Sequence, residues 1–218
     1  MSASTSWRKV ATVGYAVFVT AYFVNYFGGC GVQAIDDVVK TLPVLFLGAV
    51  AICAAGRVGL LSCALLLSAA GDLAGEHHLF LWQVGLFLAA HIAYAIHFFS
   101  RAHIDRMGLV LSALLVCASV ALGAYLLPHI ANSAERIACG AYIAVISVMA
   151  LSVIVRQSAW RWLGIAAAML FIFSDGCIAV NKFVAHIPHA GVWIMATYFV
   201  AQYLFALIYL REQKGRRR

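Results

Sequence analysis

The stretch WRWLGIAAAMLFIFSDGCIAV, residues 160–180, decides the fold of this chain. It is as long as a helix that crosses the hydrocarbon core of a bilayer, about 20 residues for roughly 30 Å. An acidic residue, Asp175, nevertheless lies inside it. A second run, RVGLLSCALLLSAAGDLA over residues 57–74, carries Asp72 in the same way. An ionisable side chain at membrane depth is costly, so both aspartates are candidates for function.

The composition indicates an integral membrane protein. Of 218 residues, 65% are hydrophobic and 11% are charged, which leaves too little polar surface for a soluble domain of this size. Apolar stretches long enough to span a bilayer recur along the whole sequence, with short connections. We therefore predict an all-α, polytopic helical bundle that forms a single transmembrane domain over residues 1–218. Its eight predicted spans lie at about 10–28, 40–56, 57–75, 79–100, 107–127, 136–155, 160–181 and 190–210.

Lysine and arginine accumulate in cytoplasmic loops, and their positions set the predicted orientation. With the N-terminus inside, twelve of the fifteen basic residues fall on the cytoplasmic side. These are Arg8, Lys9, Arg57, Arg101, Arg106, Arg156, Arg161, Arg211, Lys214, Arg216, Arg217 and Arg218. Only Lys40, Arg136 and Lys182 fall outside, so we predict that both termini lie inside. The basic tail 211–218 is predicted to contact anionic lipid, and the net charge of +7 needs no nucleic acid.

Other polar residues also lie within the predicted spans. The remaining six acidic residues are expected in loops or the tail: Asp36, Asp37, Glu76, Asp105, Glu135 and Glu212. His91 and Tyr94 share one face of the fourth span, and Tyr198 and Gln202 share one face of the last. A structural role explains each pair without function, since buried histidines are usually satisfied by neighbours and membrane helices commonly hydrogen-bond to one another. Gly71-Asp72 and Ser174-Asp175 fall on equivalent helices of two four-helix halves, which hints at a parallel repeat.

Basic residues are scarce at the predicted outer surface, so Lys40 and Lys182 stand out. Lys40 precedes Pro43, a residue suited to the first turn of a helix, and Lys182 follows Asn181 at the end of the seventh span. Snorkelling to the lipid headgroups explains both lysines without function. Alternatively, they bind a phosphate above the carboxylates, as in a phospholipid headgroup site. Cys30 and Cys177 also fall near this surface, although their spacing does not require a disulfide.

These polar residues follow a definite order along the chain. The elements are Lys40-Thr41-Leu42-Pro43, Ser68-Ala69-Ala70-Gly71-Asp72, His91-Ile92-Ala93-Tyr94, Phe173-Ser174-Asp175 with Asn181-Lys182, and Tyr198 with Ala201-Gln202. The order resembles that of the YhhN-like lysoplasmalogenase family of eight-span membrane proteins, from the second span onward. In that family the two aspartates are regarded as the catalytic pair, which assigns this role to Asp72 and Asp175. The resemblance implies hydrolysis of the vinyl ether bond of a lysoplasmalogen to a fatty aldehyde and glycerophospho-ethanolamine or -choline.

The expected site therefore has Asp72 and Asp175 as acid and base, in an order that the sequence does not decide. The predicted substrate-binding or supporting groups are Lys40, His91, Tyr94, Ser174, Asn181, Lys182, Tyr198 and Gln202. One acid and one base suffice to protonate a vinyl ether and add water, so no cofactor and no metal are expected. The expected partners are a lysophospholipid and membrane lipids, and the expected location is the inner membrane of a bacterium.

Three other interpretations stay open. A metal-dependent intramembrane hydrolase would use His91 with both aspartates, although nitrogen ligands are then scarce. A proton-coupled transporter would use the carboxylates as a relay, although the spans lack the internal Gly/Pro breaks common in transporters. Both aspartates could also be purely structural.

Overall fold

A computed structural model describes residues 3–29 and 31–216, and within these ranges the chain is all-α. The helices are α1 (Ala3–Gly28), α2 (Gln33–Ala55), α3 (Leu60–Glu76), α4 (Phe80–Phe99), α5 (Arg106–Leu126), α6 (Ser133–Ile154), α7 (Arg161–Phe183) and α8 (Ala190–Arg216). A 3₁₀ turn at Leu127–His129 follows α5. The predicted fold class is confirmed, with one helix for each predicted span. Two expectations fall on residues outside these ranges, namely the place of Cys30 near the outer surface and the end of the basic tail, Arg217 and Arg218.

Seven helices in the described part of the chain are long and apolar enough to cross a membrane. The remaining helix, α3, has 17 residues, which span about 26 Å at 1.5 Å per residue and fall short of a core of roughly 30 Å. The chain is therefore an integral, multi-pass membrane protein, as predicted. Its orientation stays a prediction.

Helix α2 begins at Gln33, seven residues before the predicted span. Asp36 lies in the first turn, where a negative charge interacts favourably with the helix dipole, so the helix extends beyond its apolar part. Pro43 consequently lies inside the helix and not in its first turn, which corrects the sequence-based placement. The expectation that acidic residues between the spans lie in loops was also wrong for Asp37, Glu76 and Glu135, which lie on helices. Helix α8 also continues into the predicted tail and carries Glu212.

The described residues divide into two compact units, one within Met1–Ala90 and Gln202–Arg218 and the other within His91–Ala201. In the first unit α2 packs against both α1 and α3, and in the second unit α6 packs against both α5 and α7. Small residues allow α3 and α4 to approach closely in the first unit. A β-carbon at Gly71 would lie 2.9 Å from the ring of Phe87, so a larger residue there would force the ring or the helix to move.

Arg156 was counted among the cytoplasmic loop charges, but its side chain is buried. Its Nη1 donates hydrogen bonds to the carbonyls of His97 and Phe98, at 3.2 and 3.0 Å. These carbonyls lie in the last turn of α4, where the backbone has no helical partner. Arg156 therefore caps α4 and ties the α6–α7 connection to it.

The start of α5 is fixed by Asp105. This residue caps the helix by accepting a hydrogen bond from the Gly108 amide at 2.6 Å, and both carboxylate oxygens accept hydrogen bonds from Arg161 at 2.6 and 3.0 Å. The bonds from Arg161, followed by the bond from Gly108, hold the pKa of Asp105 well below its usual range. The contact joins the start of α5 to the start of α7.

Candidate functional site

Asp175, on α7, lies in a polar cluster of the second unit. The hydroxyl of Tyr142, on α6, donates a hydrogen bond to Asp175 Oδ2 at 2.5 Å. His91, on α4, places Nε2 3.3 Å from the same hydroxyl and 3.6 Å from Asp175 Oδ2. The His91 side chain is fully buried, whereas that of Asp175 keeps 12% of its surface exposed. Three helices thus contribute one titratable side chain each to a connected cluster.

The three side chains come from similar depths on their helices. At 1.5 Å per residue, Asp175 lies about 12 Å from the end of α7, Tyr142 about 14 Å from the start of α6 and His91 about 17 Å from the start of α4. The end of α7 and the start of α6 are neighbours, because Lys182 Nζ lies 3.5 Å from Glu135 Oε1. The cluster is therefore well inside the apolar part of the unit.

Aromatic rings surround His91. The Phe171 ring meets the imidazole edge to face at a centroid distance of 4.7 Å, and the Tyr142 ring lies at 5.3 Å. Phe171 in turn packs against Tyr198, with ring centroids 5.4 Å apart. His91 Nδ1 is buried and has no hydrogen-bond partner within residues 3–29 and 31–216. The imidazole is therefore held by rings on its sides and by hydrogen bonding at Nε2 alone.

Asp72 belongs to the first unit, one turn before the end of α3. Its residue surface is 4% exposed, so the carboxyl group is buried on a helix of apolar residues, as the sequence indicated. At 1.5 Å per residue it lies about 6 Å from the end of the helix. Gln202, in the same unit, is fully buried on α8. The role of Asp72 in catalysis stays a prediction.

Both lysines that were predicted to contact phosphate have glutamate neighbours. Lys40 Nζ lies 2.7 Å from Glu76 Oε2. The two side chains keep 18% and 27% of their surface exposed. Lys182 pairs more loosely with Glu135 and also lies 5.2 Å from the centroid of the Phe183 ring. Both glutamates were predicted in loops, but they lie on α3 and α6, where they reach the lysines. A phosphate would therefore meet an ion pair at either lysine.

Three other predicted residues have their own places in the second unit. Ser174 is buried and donates a hydrogen bond to the Ile194 carbonyl at 3.0 Å, which ties α7 to α8. The side-chain carbonyl of Asn181 accepts a hydrogen bond from the Ile187 amide at 2.8 Å. These contacts stabilise the connection between α7 and α8. Tyr94, on α4, is fully buried.

Tyr142 is a member of the cluster that was not among the residues predicted from the sequence. It lies in the middle of the predicted span 136–155, where its hydroxyl is one of few polar groups. The same signal, a polar side chain at mid-span, identified His91 and would have identified Tyr142. Tyrosine is also common as an apolar ring in such helices, so the signal alone does not distinguish the two uses.

Cys177 lies on α7, and Cys30 lies outside the described residues. Within the described ranges, no three histidine, cysteine, aspartate or glutamate side chains lie close enough to hold a metal ion.

Known proteins resemble the chain along most of its length. The model of the YhhN family matches residues 35–208. Lysoplasmalogenase TMEM86A of Homo sapiens is 31% identical over 203 residues, which cover 85% of this chain and 82% of that protein. Lysoplasmalogenase TMEM86B of Mus musculus is 32% identical over 195 residues, covering 82% and 76%. Lysoplasmalogenase TMEM86A of Bos taurus is 35% identical over 129 residues, which are 56% of this chain and about half, 52%, of that protein.

No solved structure matches the chain. The family match nevertheless spans far more than half of the sequence, and relatives at 31–32% identity are covered over more than three quarters of their own length. These matches confirm the family that the order of polar residues predicted. The chain belongs to the YhhN family.

Proposed function

We propose that this protein is a membrane-embedded hydrolase that cleaves the vinyl ether bond of lysoplasmalogens. Its products would be a fatty aldehyde and glycerophospho-ethanolamine or -choline. This activity is supported by two relatives that are named lysoplasmalogenase and whose matches cover most of the chain. The observation that carries the proposal is the hydrogen-bonded Asp175 carboxylate, held by Tyr142 and His91 among apolar helices.

Vinyl ether hydrolysis needs one proton donor and one proton acceptor. The donor protonates the outer alkenyl carbon, and the electron pair of the double bond forms the new C–H bond, which leaves an oxocarbenium ion. Water then adds to the carbon bonded to oxygen, gives one proton to the acceptor and forms a hemiacetal. The hemiacetal hydroxyl loses its proton, the C–O bond to glycerol breaks with its electron pair, and the glycerol oxygen takes up a proton. We assign the donor and acceptor roles to Asp72 and Asp175.

Two carboxyl groups can divide these tasks when their surroundings differ. An apolar surrounding disfavours a charged carboxylate, whereas hydrogen bonds donated to the carboxylate favour it. Paired carboxyl groups in unlike surroundings divide acid and base roles in the same way in glycosidases. Asp72 and Asp175 are suited to this division, because both lie within apolar helices and Asp175 accepts a hydrogen bond from Tyr142.

The depth of the carboxyl groups also suits the substrate. The vinyl ether of a lysolipid lies just below its glycerol and phosphate, while the phosphate stays at the membrane surface. Asp72 and Asp175 lie about 6 and 12 Å from their helix ends, counted at 1.5 Å per residue. Lys182 lies one residue before the end of α7, and Lys40 contacts Glu76 at the end of α3, so both lysines would meet the phosphate there.

The test is incubation of the purified protein with a 1-alkenyl lysophospholipid and with its alkyl ether and ester analogues. Aldehyde should form from the alkenyl lipid alone, because only a vinyl ether can be protonated on carbon to give an oxocarbenium ion. Release of fatty acid from the ester, with no aldehyde from the alkenyl lipid, would refute the proposal in favour of an esterase.

A proton-coupled transporter is the second candidate function. The observation that favours it is the connected chain of His91, Tyr142 and Asp175, because such chains relay protons in transporters. Vesicles that contain the protein and a pH-sensitive dye separate the two functions. Proton movement driven by a solute gradient, without aldehyde release from lysolipid, would favour transport.

A further inference from the structure

The direction of hydrogen bonding in the His91–Tyr142–Asp175 cluster can be worked out from its geometry. A tyrosine hydroxyl has one hydrogen atom and donates only once. The 2.5 Å distance from the Tyr142 oxygen to Asp175 Oδ2 lies at the short end of the range for hydroxyl donation to an ionised carboxylate, about 2.5–2.7 Å. The Tyr142 oxygen then offers only lone pairs to His91 Nε2, 3.3 Å away. His91 must therefore carry its proton on Nε2.

The opposite direction is disfavoured by the other nitrogen of His91. A protonated Asp175 donating to Tyr142, and Tyr142 donating to Nε2, would require the neutral imidazole to carry its proton on Nδ1. Nδ1 is buried and has no hydrogen-bond partner in the described part of the chain. Buried N–H groups without a partner are rare in proteins, whereas unpaired acceptors are tolerated more often. The lone pair therefore belongs on Nδ1, and the chain of donation runs from His91 through Tyr142 to Asp175.

We propose that Tyr142 is the positioning residue of Asp175, and that donation from His91 through Tyr142 holds Asp175 as the ionised carboxylate of the catalytic pair. Asp175 is then the group that takes a proton from the attacking water, and Asp72 is the group that protonates the alkenyl carbon. The part of this inference that concerns turnover rests on the proposed function. The charge state of Asp175 does not, so it can be measured without substrate.

Infrared spectroscopy tests the charge state directly. The chain has only 8 acidic side chains, so the loss of one carboxyl group is a large fraction of the signal. The spectrum of Asp175→Asn at neutral pH should lose carboxylate absorption and keep all absorption from protonated carboxyl groups. Loss of protonated-carboxyl absorption in Asp175→Asn would overturn the inference.

The link to Tyr142 has its own spectral test. Tyr142→Phe should shift the carboxylate band that Asp175→Asn removes, because the carboxylate loses its donor. The matched control is Ser147→Ala, which also removes a hydroxyl from α6, one that contacts Ser119 at 2.7 Å and not Asp175. If Tyr142→Phe fails to fold, His91→Phe provides a second variant. It removes the first donor of the hydrogen-bonded series that runs from His91 through Tyr142 to Asp175, and it should shift the same band. An unshifted band in a folded variant contradicts the positioning role.

Turnover provides the second test. Tyr142→Phe should lower kcat about tenfold with KM within about twofold, the order expected for loss of one hydrogen bond to a charged group. The same change should cause no further loss in an Asp175→Asn background, since Tyr142 acts through Asp175. Ser147→Ala should leave kcat unchanged. Equal fractional losses in both backgrounds, or no loss in the native background, would overturn the positioning role. If the unaltered protein releases no aldehyde, the proposed function fails, and the infrared comparison still decides the charge state of Asp175.

Discussion

The ammonium group of Lys40 lies 2.7 Å from the carboxylate of Glu76, across α2 and α3. The lysine that was predicted to contact a phosphate thus already has an anionic neighbour. A lysolipid phosphate at Lys40 would have to displace the glutamate or share the lysine with it. The pair therefore sets how strongly the site attracts an anionic headgroup.

Lys40→Ala should raise KM for a lysolipid about tenfold with little change in kcat, as expected for loss of one charge-assisted contact made equally in the ground and transition states. Glu76→Gln should not raise KM, because it frees the lysine. Initial rates over a range of substrate concentrations give both constants. The control is Arg136→Ala, which removes an exposed basic residue at the same predicted surface. A fall in kcat at constant KM in Lys40→Ala would contradict phosphate binding.

Asp72→Asn and Asp175→Asn should each lower aldehyde release by at least about a hundredfold, the lower range for loss of a positioned acid or base. The change keeps the shape of the side chain and removes proton transfer. The double variant should be little worse than the poorer single one, since groups that act as a unit are not additive. Folding is checked by gel filtration in detergent. Near-normal turnover in a folded single variant would remove that aspartate from the catalytic pair.

The predicted orientation can be tested with reporters. One reporter fused after residue 218 and another inserted after Glu76 should lie on opposite sides of the membrane, because basic residues concentrate on the assigned cytoplasmic side. Accessibility to a membrane-impermeant thiol reagent gives an independent measurement. Two reporters on the same side would contradict the arrangement with both termini inside.

The pair of Asp105 and Arg161 predicts how stability depends on pH. The pKa of Asp105 is held well below its usual value of about 3.9, so the folded state favours the charged form and gains stability at neutral pH. This gain should fade as the pH falls below about 4, because the unfolded state takes up a proton first. Asp105→Asn keeps the helix cap and removes the charge.

The Tm of Asp105→Asn should accordingly lie below that of the unaltered protein at neutral pH, and the two values should converge in acid. The measurement is thermal unfolding in detergent across this range of pH. A difference in Tm that stays constant down to about pH 3 would show that the lost charge is not the cause.

Hydropathy and charge predicted the helices of this chain well, because crossing a bilayer requires about 20 apolar residues at a stretch. Asp72 and Asp175 became candidates for the same reason, since a charge stands out in an apolar run. The contacts of Tyr142 with Asp175 and of Glu76 with Lys40 were missed because they depend on which helix faces meet. Hydropathy carries no information on the rotation of one helix against another, and it also treats the buried Arg156 as an ordinary loop charge.

The length of α3 has a consequence for the surrounding lipid. A helix of 17 residues is shorter than the hydrocarbon layer, and a bilayer adapts to such a mismatch by thinning locally. Thinning brings the headgroup layer closer to Asp72, and it shortens the distance that a lysolipid must sink for its ether oxygen to reach that depth. Activity should then rise as the acyl chains of the host bilayer become shorter, so that membrane composition itself regulates access to the enzyme.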